Sequence, residues 1–208
     1  MQDGQRDGRK PHEAKLDLAM DRYAQGEDAA FAEVYDELSP RLYGYLLRQT
    51  RSRDRAEDLV QQTFLRIHRA RGHFVAGSAV TPWAFAIARR LLIDSMRRGR
   101  REVIGVDDDD EKSAEASSGE ASPEAWAEAN QVARALGREL ERLPENQRVA
   151  FELVKQEGLS LREAAAVLGT TVAAVKLRAH RAYTALRVSL GAVLPEDDGP
   201  VSESKESP

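Results

Sequence analysis

The side chains with the clearest chemistry lie near the C-terminal end of the chain, where donors and cations recur at helical spacing. Lys176, His180 and Arg181 share one side of a predicted helix, and Thr171 stands at its start. Cations bind phosphates, and such donors reach base edges when a helix enters the major groove. This side therefore indicates recognition of duplex DNA, although charge on an outer helix face can also serve solvation alone.

Two short helices joined at a glycine must hold these side chains, in the stretch LSLREAAAVLGTTVAAVKLRAHRAYTAL. Ser160, followed three residues later by Glu163, forms a capping box that predicts the start of the first helix. Gly169 ends that helix, because glycine adopts the left-handed cap conformation without a side-chain penalty. Thr170 or Thr171 then caps a second helix. Its inward side consists of Val175, Ala179, Ala182 and Leu186. The pattern predicts a helix-turn-helix.

A second candidate nucleic-acid surface lies on the helix predicted from PWAFAIARRLLIDSMRRGRR. Thr81 is expected to cap this helix, with Pro82 at its first position. Trp83 could stack on an unpaired base, although a tryptophan here more often belongs to the hydrophobic core. Neutralising several phosphates would make binding steeply dependent on salt. The basic side chains that would do so are Arg89, Arg90, Arg97, Arg98, Arg100 and Arg101.

A helix predicted from about Asp54 to Arg71 carries two stripes at helical spacing. The first stripe is apolar and predicts a buried face: Ala56, Leu59, Val60, Thr63, Phe64 and Ile67. The second is polar around one leucine: Asp58, Gln61, Gln62, Leu65 and Arg69. One apolar anchor among polar partners is typical of a protein interface, and a solvated face with one exposed leucine is the alternative.

The composition limits the class of protein. The chain has 208 residues, of which 41% are hydrophobic and 32% charged, so it can hold one or two small domains. It has no apolar run of membrane-span length, and its first residues lack the apolar segment of a signal peptide. The absence of cysteine excludes disulfides and thiolate metal sites. We therefore expect a cytoplasmic protein without membrane insertion.

The polar residues do not form a pattern typical of catalysis or of a cofactor. With four histidines, no cysteine and no glycine-rich phosphate loop, the sequence offers no nucleophile and base pair. Surface or interfacial roles are favoured over metal binding for His68 and His73. The adjacent carboxylates from Asp107 to Asp110 favour an extended, solvated segment over a cation site. We expect no enzymatic activity, no metal and no cofactor.

Charge is distributed unevenly, although the net charge is only −4. Residues 41–102 contain 14 arginines against 5 acidic residues, a net +9, and residues 129–192 have a net +4. Residues 103–128, between them, have a net −8, and residues 193–208 have a net −4. Basic segments alternating with acidic ones are expected of nucleic-acid-binding domains that carry competing acidic segments.

The periodicities predict an all-α protein of two small helical domains. Residues 1–12 are expected to be disordered, and a first domain spans residues 13–102, where Pro40 should break or kink a helix. Residues 103–122 are too acidic and polar to fold alone and are expected to form a flexible linker. A second domain then spans residues 123–192, and residues 193–208 form an acidic tail.

Three stretches in this order resemble the extracytoplasmic-function (ECF) sigma factors, the minimal two-domain group of the sigma-70 family of bacterial transcription initiation factors. AEDLVQQTFLRIHRARGHF resembles the family's polymerase-binding segment, and TPWAFAIARRLLIDSMRRGRR the helix beside its promoter-melting loop. The region from Leu143 to Arg187 resembles its C-terminal DNA-binding domain. The resemblance covers roughly residues 14–190 and identifies the two domains as sigma regions 2 and 4.

The resemblance implies a role for each set of residues. The clamp coiled coil of core RNA polymerase would bind Asp58, Gln61, Gln62, Leu65 and Arg69, and the polymerase flap would be a further contact. The minus-ten element would be captured and melted by Phe74, Ala76, Gly77, Ser78, Trp83, Arg89, Arg90, Arg97 and Arg98. The minus-thirty-five element would be read by Thr171, Lys176, Leu177, His180 and Arg181.

The resemblance also implies partners: core RNA polymerase, promoter DNA and an inhibitory anti-sigma factor. A stand-alone helix-turn-helix regulator is the alternative function. That alternative would account for the C-terminal half, but not for the two-striped helix or the basic helix after Trp83.

Overall fold

The computed structural model describes residues 11–102 and 135–191. Within these ranges the chain is helical and contains no strand, which confirms the expected all-α class. A 3-10 turn, Arg71–His73, follows the third helix of the N-terminal half. The four helices of this half are α1 (Pro11–Ala24), α2 (Ala30–Thr50), α3 (Arg53–Ala70) and α4 (Val80–Glu102).

Residues 135–191 of the C-terminal half contain four further helices. The described part of α5 covers residues 135–142. The remaining helices are α6 (Glu145–Phe151), α7 (Leu161–Leu168) and α8 (Val172–Leu190). A π-helical turn, Glu152–Gln156, extends α6 at its C-terminal end. None of the helices in the described ranges is long and apolar enough to cross a bilayer.

The hydrophobic core of the N-terminal half forms where α1, α2, α3 and α4 turn their apolar sides toward each other. The large side chains of Met20, Tyr23, Leu42 and Phe85 are fully buried there. The predicted apolar stripe of α3 is buried throughout, at Ala56, Leu59, Val60, Thr63, Phe64 and Ile67. Burying that stripe turns the second, polar stripe of α3 outward.

Pro40 was expected to break or kink a helix, and a break is wrong, because α2 runs through that residue without interruption. Pro40 is exposed, so water can satisfy the carbonyl that loses its helical partner. Leu38 and Leu42 on either side of it are completely buried. Burial of the apolar face therefore outweighs the local cost of the proline.

Two predicted boundaries also shift. Helix α1 begins at Pro11, so Pro11 and His12 are helical although they were expected to be disordered; residues 1–10 lie outside the described ranges. Helix α4 begins at Val80 rather than after a cap at Thr81. The Val80 amide donates to Asp17 of α1 at 2.8 Å, so a distant carboxylate holds the start of α4. The expected linker of residues 103–122 and the acidic tail fall outside the described ranges.

The helix-turn-helix forms as the local signals predict. Ser160 and Glu163 make both hydrogen bonds of the capping box. Gly169 ends α7 in the left-handed conformation, with φ of 60°. Thr171, rather than Thr170, caps α8 by accepting a hydrogen bond from the Ala174 amide at 3.1 Å. The inward residues of α8 that were predicted to be buried, from Val175 to Leu186, are buried.

The two halves share one hydrophobic core, a contact that the sequence patterns did not predict. Helix α7 packs against α4, and Leu153 and Leu159 join the buried cluster that begins on α1. A polar cluster completes the contact, in which Arg48 donates to Glu157 at 2.6 Å and Gln49 donates to Glu152 at 2.5 Å. We call Arg41, Arg48, Gln49, Arg148, Glu152 and Glu157 the interdomain polar cluster.

Candidate nucleic-acid and protein interfaces

Helix α8 exposes the predicted recognition side. Lys176, Leu177, His180 and Arg181 are all exposed, and the two cations among them make no ion pair within the described ranges. Thr171 is also exposed, although its hydroxyl is already the cap of α8. Exposed donors at the N-terminal part of a second helix have the arrangement required for contacts in the major groove.

Two sets of buried contacts and a glycine turn fix the direction of α8. Ala165 of α7 and Val175 of α8 are buried at the crossing of the two helices, and Gly169 makes the turn between them. Leu186 and Ala182 pack with Leu140 and Phe151 in a second small cluster. The recognition side is therefore held by a rigid scaffold rather than by a mobile segment.

The arginines of α4 are not equivalent. Arg90, Arg97 and Arg98 are exposed, whereas Arg89 is half-buried and its guanidinium lies 3.5 Å from the Tyr45 hydroxyl. Burial raises the pKa of Tyr45. Arg89 is therefore oriented by the core, while the other three extend freely enough to follow a phosphate backbone.

The loop between the 3-10 turn and α4 gathers the other residues assigned to the minus-ten element. Phe74 packs on Trp83, with ring centroids 5.1 Å apart, and both are half-buried against the core. This supports the core role for Trp83. Val75, at the loop tip, is 70% exposed and Ala76 is exposed beside it. The packed aromatic side chains therefore anchor the loop to the core, while the tip of the loop is exposed.

Helix α3 exposes its second stripe. Asp58, Gln61, Leu65 and Arg69 are exposed, and Leu65 is 48% exposed. Gln62 is half-buried and donates to the Asp58 carboxylate at 2.7 Å, which fixes both side chains. The stripe has the expected form of one apolar anchor within a polar surround.

An open groove of about 480 Å³ lies beside this stripe, between α2 and α3, and the sequence patterns did not predict it. Two tyrosines and two acidic residues line it together with smaller or uncharged side chains: Tyr35, Asp36, Ser39, Pro40, Tyr43, Glu57, Val60 and Gln61. Gln61 belongs to both surfaces, so the groove extends the stripe toward α2.

The His68 side chain takes part in hydrogen bonding within the N-terminal half. His68 Nδ1 lies 2.5 Å from the Tyr23 hydroxyl and 2.7 Å from an Arg71 nitrogen. No three carboxylate or imidazole side chains in the described ranges are grouped as a metal ion would require. The aspartates from Asp107 to Asp110 lie outside those ranges.

Two groups of functional side chains were missed at the level of sequence. Asp17 and Asp21 bind the backbone of the loop and the start of α4. The carboxylates Glu152 and Glu157 are buried between the two halves. Asp17 next to buried Leu16, and Glu152 between buried Phe151 and Leu153, were the available signals, since a carboxylate on an apolar face needs partners.

The two halves match two regions of one family. Residues 34–102 match the family described as Sigma-70 region 2, and residues 133–186 match the family described as Sigma-70, region 4. Relatives extend the match over most of the chain. The RNA polymerase sigma factor CarQ of Myxococcus xanthus is 34% identical over 173 residues, which cover 83% of this chain and 95% of CarQ.

A further relative and two solved structures agree. The ECF RNA polymerase sigma factor SigF of Caulobacter vibrioides is 36% identical, covering 84% of this chain and 93% of SigF. The sigma factor RpoE from Bartonella quintana, solved in complex with the anti-sigma factor NepR, matches with a TM-score of 0.64 and 27% identity over 79% of this chain and 98% of RpoE. CnrH, solved with the cytosolic domain of CnrY, matches with a TM-score of 0.57 and 25% identity over 88% of this chain and 99% of CnrH.

The chain therefore belongs to the extracytoplasmic-function group of the sigma-70 family of transcription initiation factors. The alternative of a stand-alone helix-turn-helix regulator is not supported, because the N-terminal half is sigma region 2 and the relatives are sigma factors.

Proposed function

We propose that this protein is an alternative sigma factor that binds core RNA polymerase, directs it to promoters with specific minus-ten and minus-thirty-five elements, and promotes melting of the DNA. One observation carries the proposal: a single chain exposes both a recognition side on α8 and a separate polar stripe around Leu65 on α3. A DNA-binding factor that must also hold a polymerase needs both surfaces at once.

The polar stripe of α3 is the proposed docking surface for the polymerase clamp coiled coil. Leu65 is its apolar anchor, and the bonded pair of Asp58 and Gln62 presents a fixed polar edge beside it. Gln61 and Arg69 complete the surface. Region 4 would meet the polymerase flap. The sigma region 2 domain would run from the start of α1 at Pro11 to residue 102, and the region 4 domain would span residues 123–192.

The loop of residues 74–80 is the proposed site of minus-ten recognition. Its exposed tip can receive a base that has left the duplex, while Arg90, Arg97 and Arg98 bind phosphates of the separated strand. Unpairing and unstacking a base costs a few kcal/mol, which a fitted pocket and backbone contacts offset. Phe74 and Trp83 support this loop from the core side.

Such a factor works in the bacterial cytoplasm, where polymerase and promoter DNA are found. RpoE and CnrH, the two similar structures, were solved with an anti-sigma factor and with the cytosolic domain of CnrY respectively. We propose that an anti-sigma factor likewise holds this protein inactive until it is needed.

We expect Arg181→Ala to weaken and relax recognition of the minus-thirty-five element, by about 1–3 kcal/mol if the guanidinium contacts a base. The measurement is promoter binding by the holoenzyme on the wild-type element and on single-base variants of it. Arg138→Ala, an exposed arginine on α5, is the matched control and should leave the sequence preference unchanged. Equal loss on every sequence would show that Arg181 touches phosphate only.

Run-off transcription with purified core polymerase tests the function as a whole. On a promoter from upstream of the protein's own gene, addition of the protein should yield transcripts that start at one defined position. A footprint from the protein alone, with no transcripts, would contradict the proposal.

A further inference from the structure

Two carboxylates of α1 hold the loop of residues 74–80 at two points. The Gly77 amide donates to both carboxylate oxygens of Asp21, each at 3.1 Å. The Val80 amide donates to Asp17 at 2.8 Å, and Asp17 is 8% exposed. Asp17 and Asp21 are four residues apart and therefore lie on the same side of α1. One side of α1 thus binds the backbone of the loop at its far end and near its middle.

These bonds define the conformation of the loop. Gly77 has φ of 77°, a left-handed conformation that glycine adopts without a side-chain penalty and in which its amide faces α1. The Ser78 amide donates to the Val75 carbonyl at 3.0 Å, which closes a tight turn around the exposed Val75 and Ala76. Hydrogen bonds to ionised acceptors are stronger than neutral ones, so this turn is held more firmly than its exposure alone would suggest.

The charge of the carboxylates supports the same role. Asp17 lies at the N-terminus of α4, where a negative charge is stabilised by the helix dipole. In a half with an excess of arginine, a carboxylate beside a DNA-binding loop repels phosphate and adds nothing to DNA affinity directly. Asp21 instead binds the loop backbone, so it affects the contacts of the loop tip through the conformation of the loop.

We propose that Asp17 and Asp21 are positioning residues that hold the loop of residues 74–80 in the conformation that receives an unpaired minus-ten base. This inference rests on the proposed function of the loop. A loop that already has its bound shape avoids the ordering cost on binding, and it discriminates between bases because its pocket cannot adapt to the wrong one.

The test uses Asp21, because Asp17 also supports the start of α4 and borders Leu159 of the C-terminal half. Holoenzymes are assembled from core polymerase and the full chain carrying wild-type sequence, Asp21→Ala, Asp21→Asn or Glu37→Ala. Glu37 is an exposed carboxylate on α2 that is distant in sequence from the loop and does not line the groove beside the α3 stripe. Binding is measured on single-stranded minus-ten oligonucleotides in which each base is replaced in turn by the other three.

With wild-type protein, one or two positions should show strong base preference. Asp21→Ala should reduce that preference roughly tenfold or more, in line with the loss of charge-assisted hydrogen bonds. Binding to the oligonucleotide with the preferred base should weaken, and binding to the oligonucleotides with the other bases should not. Asp21→Asn keeps an acceptor oxygen and should retain part of the preference, and Glu37→Ala should retain all of it. Polymerase binding and thermal unfolding serve as controls for the fold of each variant.

An unchanged base preference in Asp21→Ala would overturn the inference, and so would an equal loss on all four bases. Either outcome leaves the proposed function standing if the wild-type holoenzyme initiates transcription. Failure of the wild-type protein to support initiation would instead overturn the proposed function, and the inference with it.

Discussion

Leu65→Asp is expected to abolish stable binding to core RNA polymerase while the protein remains folded. The leucine is 48% exposed at the centre of the α3 stripe, so the substitution places a charge where the partner would have to bury it. Loss of a central interface anchor typically weakens binding by at least 2 kcal/mol, or about 30-fold. The folded chain loses little, because an exposed aspartate within a helix costs under about 1 kcal/mol in propensity.

The measurement is retention of each variant on immobilised core polymerase, with circular dichroism to verify folding. Leu18→Asp is the matched control, because Leu18 is 53% exposed on α1 and does not belong to the stripe. It should bind as the wild type does. Retention of Leu65→Asp at the wild-type level would show that the stripe is a solvated face and that polymerase docks elsewhere.

The interdomain polar cluster should make stability depend on pH through Glu152. Burial raises the pKa of this carboxyl to about 7, although Arg48 and Arg148 act to lower it. Its ordinary value is 4.5, so between pH 4.5 and 7 the folded state binds more protons than the unfolded state. The free energy of unfolding should therefore fall as the pH rises through this window. The expected loss is on the order of 1–3 kcal/mol.

Glu152→Gln should remove this dependence. A glutamine keeps the shape and can still accept the hydrogen bond from Gln49, and it carries no charge to bury. Unfolding in denaturant is followed from pH 5 to pH 8 for the wild type, Glu152→Gln and Glu141→Gln. Glu141 is an exposed glutamate beside Arg51 and serves as the matched control. Parallel curves for the wild type and Glu152→Gln would show that the carboxylate stays ionised and fully paired over the whole range.

Local signals predicted the elements that are held by local contacts. The capping box at Ser160 and the left-handed turn at Gly169 depend on neighbours within a few residues, so the sequence carries them directly. The buried stripe of α3 was predictable because helical periodicity alone fixes which residues share a side. The exposed α3 stripe follows from the same geometry.

Contacts between distant residues were not predictable in this way. Asp21 meets Gly77 across 56 positions, and Gln49 meets Glu152 across 103. Neither contact produces a periodic pattern in the sequence from which it could be predicted. At Pro40 the local rule was misleading, because burial of Leu38 and Leu42 on both sides outweighs one missing hydrogen bond on the solvent side. The contact between the two halves also depends on residues that are distant in sequence, so the sequence patterns did not predict it.

The shared core has a consequence for promoter geometry. A folded body of the described size is roughly 40 Å across. The minus-ten and minus-thirty-five elements are about 25 base pairs apart, a span of about 85 Å along the duplex. Under the proposed function, the docked arrangement is too short to touch both elements, and α7 would have to leave α4 before a promoter is engaged at both ends. The free energy of docking is then subtracted from the affinity for the promoter, so tighter docking would weaken binding to every promoter by the same factor.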